Sequence, residues 1–245
     1  MNTFDINGIP AKILYEDSKV IAFVKPFGIL SQKAESDEAS VLEYLNEYAR
    51  GKWSAYPVHR LDRTTGGVMI CAKDQRSAAA LSALASGDGM KKEYLAACHG
   101  SLEGDGTLEH ELYFDRRKNK SFPVKKGDRK GVKHAKLDYK SLSHHDDPER
   151  TVVHIRLHTG RTHQIRCQLA AIGHPLLGDG KYGGRGAKSI CSLWSCRITL
   201  DPDALSRGQL GKSDFAKALA SSPDLLTSLP EGFPWDEKHT VLSDF

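Results

Sequence analysis

The sequence predicts an α+β fold. Three observations carry that prediction: strand-length apolar segments that come in neighbouring pairs with a turn between them, segments of helical periodicity set among those pairs, and a chain long enough to enclose a full core. At 245 residues and 39% hydrophobic content a protein buries roughly 70 to 75% of the surface of its unfolded chain.

Ala11 to Leu30 reads as two short strands, AKILYED and KVIAFVK, with Asp17 and Ser18 at the turn. Lys25, Pro26, Phe27 and Gly28 close the second strand. Ser40 to Arg50 is helical in pattern: Ser40 can cap, Glu43 completes a capping box, and Val41, Leu42, Leu45 and Tyr48 recur at about 3.6 residues. Val68 to Lys73 is a buried strand, Gln75 to Ala85 an alanine-rich helix ending at Ser86 and Gly87, and Lys92 to His99 another strand. Ala135 to Leu142 and Thr151 to His158 pair as strands around the polar loop HHDDPER. Gln164 to Ile172 suits a short helix, and Gly173 to Gly186 a glycine-rich loop. Beyond Asp201 four prolines punctuate short helices.

No segment approaches the roughly 20 apolar residues of a membrane span, and Met1 to Pro10 lacks the basic start and apolar run of a leader. A cytoplasmic protein is expected. Five cysteines at irregular spacings contain no C-x-x-C pair and read as reduced thiols. The net charge of +4 is small, but its distribution is uneven. Between Arg116 and Lys136 stand ten Lys or Arg and one acid, Asp128, so that segment carries +9 and the remainder −5. Rich in Lys and Gly, it predicts an exposed arm or long hairpin.

Two segments are dense in polar residues where a core element needs none: PVHRLDRTTGGVMICAK (Pro57 to Lys73) and LHTGRTHQIRCQLAAIGHPLLGDGKYGG (Leu157 to Gly184). In the first, Asp62 lies between Arg60 and Arg63 in a turn that leads through Gly66 and Gly67 into an apolar strand. An aspartate there serves either as a hydrogen-bonded turn former or, in a partly desolvated cleft, as a base or nucleophile. In the second, Arg161, Thr162, His163, Gln164 and Arg166 gather donors at a strand-to-helix junction, where free N–H groups favour anions. A phosphate or carboxylate partner is implied; the plainer alternative is a solvated helix start.

Together these segments resemble the RluA-type family of RNA pseudouridine synthases. HRLDRTTGGVMICAK is similar to that family's H-R-L-D-x-x-T-S-G-L signature, and TGRTHQIR followed by IGHPLLGDGKYG is similar to its later motif. YEDSKVIAFVKPFGIL and KKEYLAACHG stand in the family's order, so the likeness spans about residues 12 to 200 and leaves 201 to 245 as an extension. The resemblance implies one catalytic domain over 1 to 245, with a mixed, largely antiparallel sheet flanked by helices and a central RNA-binding cleft. It also implies that no small RNA-binding domain precedes a first strand beginning near Lys12. By position, Asp62 falls on the catalytic aspartate, Arg60 on the arginine that helps displace the target base, Tyr94 on the tyrosine that stacks on the ring, and Arg161 on the arginine that pairs with the aspartate. Gly66, Gln168 and the SLWS around Trp194 depart from the family pattern, which touches finer substrate contacts.

Isomerising uridine breaks the glycosidic C–N bond, turns the base and joins its C5 to the same sugar carbon. Nothing is oxidised and no group is supplied, so no cofactor and no metal is expected. Asp62 can attack the sugar, attack the base or abstract a sugar proton; all three routes stay open. The partner is RNA, ribosomal being favoured over transfer RNA, met by a monomer through Arg60, Arg63, His163, Gln164, Arg166 and the arm residues Lys125, Lys126, Arg129 and Lys130. Two rival classes are a non-catalytic RNA-binding module that kept the fold and a carboxylate-dependent hydrolase, for which no second acid is visible. Two further signals fail. His154 and His158 fall on an alternating β-branched segment that would set them roughly 13 Å apart, and GQLGKS, similar to a phosphate loop, has Ser206 where its first glycine belongs.

Overall fold

A computed structural model describes residues 2–33, 38–146, 149–183, 190–206 and 210–227. In chain order the elements are β1 (Thr3–Ile6), β2 (Ile9–Glu16), β3 (Val20–Lys25), α1 (Val41–Ala49), β4 (Tyr56–Pro57), β5 (Gly66–Ala72), α2 (Gln75–Ser86) and β6 (Met90–His99). Then come β7 (Asp105–Asp115), β8 (Lys120–Val124), β9 (Lys133–Asp146), β10 (Glu149–Leu157), α3 (Gln164–Ala171), β11 (Leu193–Leu200), α4 (Pro202–Ser206), α5 (Asp214–Ser221) and β12 (Asp224–Leu226). Contacts divide the chain into two units, 2–92 with 195–227 and 93–194; the chain leaves the first within β6 and returns within β11.

The first unit carries strands in the order β1-β2-β3-β5-β11, with β4 on β5 and β12 on β11. The first expected strand has a partner before it. Asn7 and Gly8 both take positive φ, 55° and 79°, the geometry of a two-residue hairpin turn, so β1 pairs antiparallel with β2. Asp17 makes the next turn as expected, its Oδ1 accepting from Lys19 N and Val20 N, each at 2.7 Å. β3 runs antiparallel to β5, Val20 opposite Ala72 and Lys25 opposite Gly67. Every residue of β5 is buried, which explains a continuous apolar run instead of alternation.

Both early helices start as their sequences predict. The Glu43 carboxylate accepts from Ser40 N at 2.7 Å, and Asp74 caps α2 by accepting from Ser77 N at 2.8 Å. The core beneath α2 joins Val68, Ile70 and Leu81 to Ile198, Phe215 and Leu219. The last two residues therefore make α5 part of the core, not an appendage. Ser213 caps α5, accepting from Ala216 N at 3.1 Å, which gives the end of GQLGKS a structural task; residues 207–209 of that neighbourhood lie outside the described ones.

The second unit carries the order β6-β10-β9-β7-β8. β9 and β10 pair antiparallel with a bulge between Val152 and Val153. They are longer than expected: His144, His145, Asp146, Glu149 and Arg150 of the supposed loop lie in strand, 147–148 being outside the described residues. His154 is buried in β10 and His158, just past the end of that strand, binds Asp138 at 2.6 Å, so no helix carries the pair. α3 is covered through Cys167 by Leu112 of β7, Ala135 of β9 and Tyr182. The pairings of β1 with β2, β2 with β3, β3 with β5, β7 with β8 and β9, and β9 with β10 are all antiparallel, and a parallel bridge joins Leu30 to Ser40. No helix among the described residues is long and apolar enough to cross a membrane.

Candidate active site

In the first unit the residues around Asp62 form a loop between β4 and β5, held at several points. His59 anchors its start: Nε2 accepts from Ile70 N at 3.1 Å. Burial, with Lys92 adding to it, pushes the imidazole down to about 3, so the ring is a neutral acceptor. Leu61 is buried, and its main chain meets Ser31 in both directions: Ser31 Oγ donates to Leu61 O at 2.7 Å and accepts from Leu61 N at 3.1 Å. Gly28 does the same for Arg63, its N donating to Arg63 O at 2.8 Å and its O accepting from Arg63 Nε at 2.9 Å. Thr65 N closes the turn onto Asp62 O at 3.0 Å. The loop's exit requires glycine. Gly67 has φ 112°, and a Cβ there would stand 2.1 Å from Ser195 O on β11.

Asp62 is half-buried, while Arg60 and Arg63 on either side are exposed. Arg63 reaches Glu38 at 3.2 Å. A residue that sequence reasoning passed over lies beside this loop. Lys25, at the end of β3, is wholly buried, and its Nζ donates to Pro26 O and Ile29 O, both at 2.8 Å. Burial pushes this ammonium down to about 7, against the pull of the Asp62 charge. A lysine closing an apolar strand before Pro26 was the available signal; in the sequence it reads only as a strand end.

In the second unit Tyr94 lies in the buried run of β6, 5% exposed. Arg161 belongs to the loop after β10, where Gln164 is the organising side chain. Gln164 Oε1 accepts from Thr159 Oγ1 at 2.8 Å and Arg161 N at 3.0 Å, while Nε2 donates to Lys136 O at 3.0 Å. Arg161 Nε donates to His134 O at 2.7 Å. His163 opens α3 with φ 54°, an uncommon conformation for a residue bearing a Cβ, and its Nδ1 lies 3.2 Å from Tyr182 Oη. Arg166 is buried and grips Asp179 twice, Nε at 2.6 Å from Oδ2 and Nη2 at 2.9 Å from Oδ1. Burial works to raise the Asp179 carboxyl, but Arg166 and the N–H groups of Lys181 and Tyr182 hold it below the usual carboxylate range.

Gln164 and Arg166 turn their polar groups inward, Gln164 onto the loop before α3 and Arg166 onto Asp179 of the GDGKY turn, because α3 is buried on all sides over its first six residues. Arg161 and His163 are half-buried at its start. The basic segment, by contrast, takes the expected form. It comprises the turn after β7, β8 and the loop into β9, and Lys125, Lys126, Arg129 and Lys130 are all exposed. Aromatic residues support it: Arg129 lies over Tyr113 at 4.6 Å and Lys120 over Tyr182 at 4.7 Å.

The arrangement of strands and helices is the pseudouridylate synthase fold. The human RNA pseudouridylate synthase domain containing 1 superposes with a TM-score of 0.66 at 21% identity, over 78% of each chain. Residues 19–171 match the RNA pseudouridylate synthase family, and the chain belongs to that family. It is similar to the ribosomal large subunit pseudouridine synthase D of Xanthomonas campestris, 32% identical over 180 residues that cover 72% of this chain and 53% of that protein. The protein of the same description from Borreliella burgdorferi is 32% identical over 230 residues, 89% of this chain and 67% of its own. The chain thus spans about half the length of the first of these relatives.

Proposed function

We propose that this protein is an RNA pseudouridine synthase that isomerises uridine to pseudouridine in structured RNA, with Asp62 as the catalytic residue. The observation that carries the reading is the Asp62 loop. A half-buried carboxylate stands between Leu61, whose main chain is tied twice to Ser31, and Arg63, whose main chain and side chain are each tied once to Gly28, which is how a fold holds a reactive group in place rather than a solvated turn. The reaction fits a single carboxylate. The C1′–N1 bond breaks, the base turns, C5 bonds to C1′, the C5 proton leaves and N1 regains a proton, so atoms and electrons balance within the nucleotide.

Tyr94 and Arg161 join Asp62 in this proposal through the family motifs. A planar, permanently charged guanidinium suits the orientation of a carboxylate better than an ammonium, and an aromatic ring that stacks on an extruded base returns roughly 1 to 3 kcal/mol. Arg60, Arg63 and the exposed basic hairpin supply phosphate contacts. We propose large-subunit ribosomal RNA in preference to transfer RNA, supported by the descriptions of the relatives, and a monomer acting in the cytoplasm as one catalytic domain.

The test is conversion of uridine in unmodified transcripts of large-subunit ribosomal RNA and of transfer RNA, read by base-specific chemical labelling of pseudouridine. Asp62→Asn is expected to fold, to bind RNA as the wild type does and to form no pseudouridine. Residual turnover above about a thousandth of the wild-type rate would remove Asp62 from the nucleophile's role. A wild type that binds RNA and converts none would return the chain to the class of RNA-binding modules.

A further inference from the structure

The basic hairpin carries two aromatic rings that its phosphate contacts do not use. Tyr113 of β7 stands directly opposite Phe122 of β8, and cross-strand partners share a face of the sheet. The other face is the one turned to α3: Leu112 packs on Cys167, Phe114 meets His163 edge-on at 6.2 Å, and Ser121 Oγ donates to Thr162 O at 2.5 Å. Side chains alternate along a strand, so Tyr113 and Phe122 point away from α3. Both are half-buried, and the groups lying over them are cations. Arg129 is 4.6 Å from the Tyr113 ring, and Lys118 and Lys120 are each 5.5 Å from that of Phe122. The same face leads toward Arg161. Glu111, two residues before Tyr113 and about 7 Å along the strand, meets the His134 side chain at 3.5 Å, and His134 O accepts from Arg161 Nε.

We propose that Tyr113 and Phe122 form a stacking platform for unpaired bases of the RNA that the hairpin holds. The inference rests on the reading of the chain as an RNA-modifying protein, and adds what charge alone does not supply: a means of telling an open strand from a duplex. Phosphates carry the same charge in both, whereas duplexed bases are stacked on one another and closed to a ring. Every base has a flat face, so the platform selects an open strand without selecting a sequence. A cation over an exposed ring is held more weakly than a stacked base. An incoming base therefore displaces Lys118 or Arg129 from the ring and leaves the cation to meet a phosphate beside it.

The experiment measures dissociation constants by filter binding over a series of salt concentrations, for a short single-stranded RNA without self-pairing and for the duplex it forms with its complement. The double variant Tyr113→Leu with Phe122→Leu keeps apolar bulk on the face and removes the rings. It is expected to bind the single strand at least about tenfold more weakly than the wild type. Its affinity for the duplex stays within about twofold of wild type and its salt slope on the single strand is unchanged, because the phosphate contacts are intact. Tyr113→Phe, which keeps the ring, is expected to bind as the wild type does. Should the double variant not fold, as judged by its melting curve, Tyr113→Leu alone is read in its place, with an expected loss of at least about threefold on the single strand. An unchanged affinity for the single strand overturns the inference. An equal loss on both probes, or a reduced salt slope, overturns it too, since the rings would then serve only to support the cations over them. A wild type that binds neither probe overturns the RNA reading and this inference with it; a wild type that binds through the rings and converts no uridine overturns the catalytic reading alone.

Discussion

A neutral histidine three residues before the aspartate that lies between Arg60 and Arg63 is a stability element with a measurable pH signature. In the folded protein His59 titrates at about 3 because burial, aided by Lys92, opposes its charge, against an ordinary 6.5. Between those values the unfolded chain binds a proton that the folded one refuses, so stability falls as pH falls from about 6.5 toward 3. His59→Gln retains an acceptor for Ile70 N and does not titrate. Denaturant unfolding at pH 7, 5 and 4 is expected to show the wild type losing about 1.4 kcal/mol per pH unit more than the variant over the acid range; parallel curves would refute the assignment. Arg161 makes a second residue-level prediction. Its guanidinium already spends Nε on His134 O, leaving the two terminal nitrogens for a carboxylate. Arg161→Lys supplies one nitrogen for both tasks and is expected to lower turnover at least about tenfold with RNA affinity nearly unchanged. An unchanged rate would sink the pairing role.

At the scale of elements, what is legible in the sequence is what turn residues and caps announce. The β2–β3 turn at Asp17, the cap of α1 and the starts of α2 and α3 are read directly because each depends on neighbours within about four residues. The hairpin turn at Asn7–Gly8 carries the Asn-Gly signal of a two-residue turn, which a reading of Met1 to Pro10 for a leader does not use. β7 is less legible. Its apolar face, Leu108, Leu112 and Phe114, is interrupted by His110, and the charges of its other face fit a strand because β9 answers them, Lys136 to Glu109 at 2.9 Å and His134 to Glu111 at 3.5 Å. The candidate site divides in the same way. Asp62, Arg161 and the basic segment are visible as local polar density, whereas Lys25 and Ser31 gain their roles only from partners the chain brings back from a distance. The basic hairpin yields its own prediction: neutralising Lys125, Lys126, Arg129 and Lys130 together is expected to weaken binding to all RNA sequences and to reduce the salt slope by roughly 0.7 to 0.9 per lost phosphate contact. The choice of target uridine is expected to survive, since phosphate contacts position without reading sequence. An unaltered slope would make the hairpin a solvated surface only.

For the molecule as a whole, charge sets how much RNA the chain can hold. The segment Arg116 to Lys136 carries +9 while everything else sums to −5, so phosphate attraction is concentrated in one hairpin. β8 has five residues, about 17 Å at roughly 3.4 Å per residue, and a patch of that length meets a handful of phosphates rather than an extended fold. The extracted uridine imposes the second condition. Pulling a base from a stack costs a few kcal/mol and least where the base is unpaired, and sequence-specific recognition of RNA favours loops for the same reason. A short patch and a cheap base together describe a stem-loop. The expectation is that an isolated stem-loop carrying the target uridine, identified by mapping pseudouridines in a strain lacking the gene, is modified at a rate within about tenfold of the intact RNA, a difference of roughly 1.4 kcal/mol in the barrier. A stem-loop that stays inert while the intact RNA or a ribosomal particle reacts would mean that contacts far from the target uridine are required, and that a single basic hairpin is too small an account of how this protein finds its target.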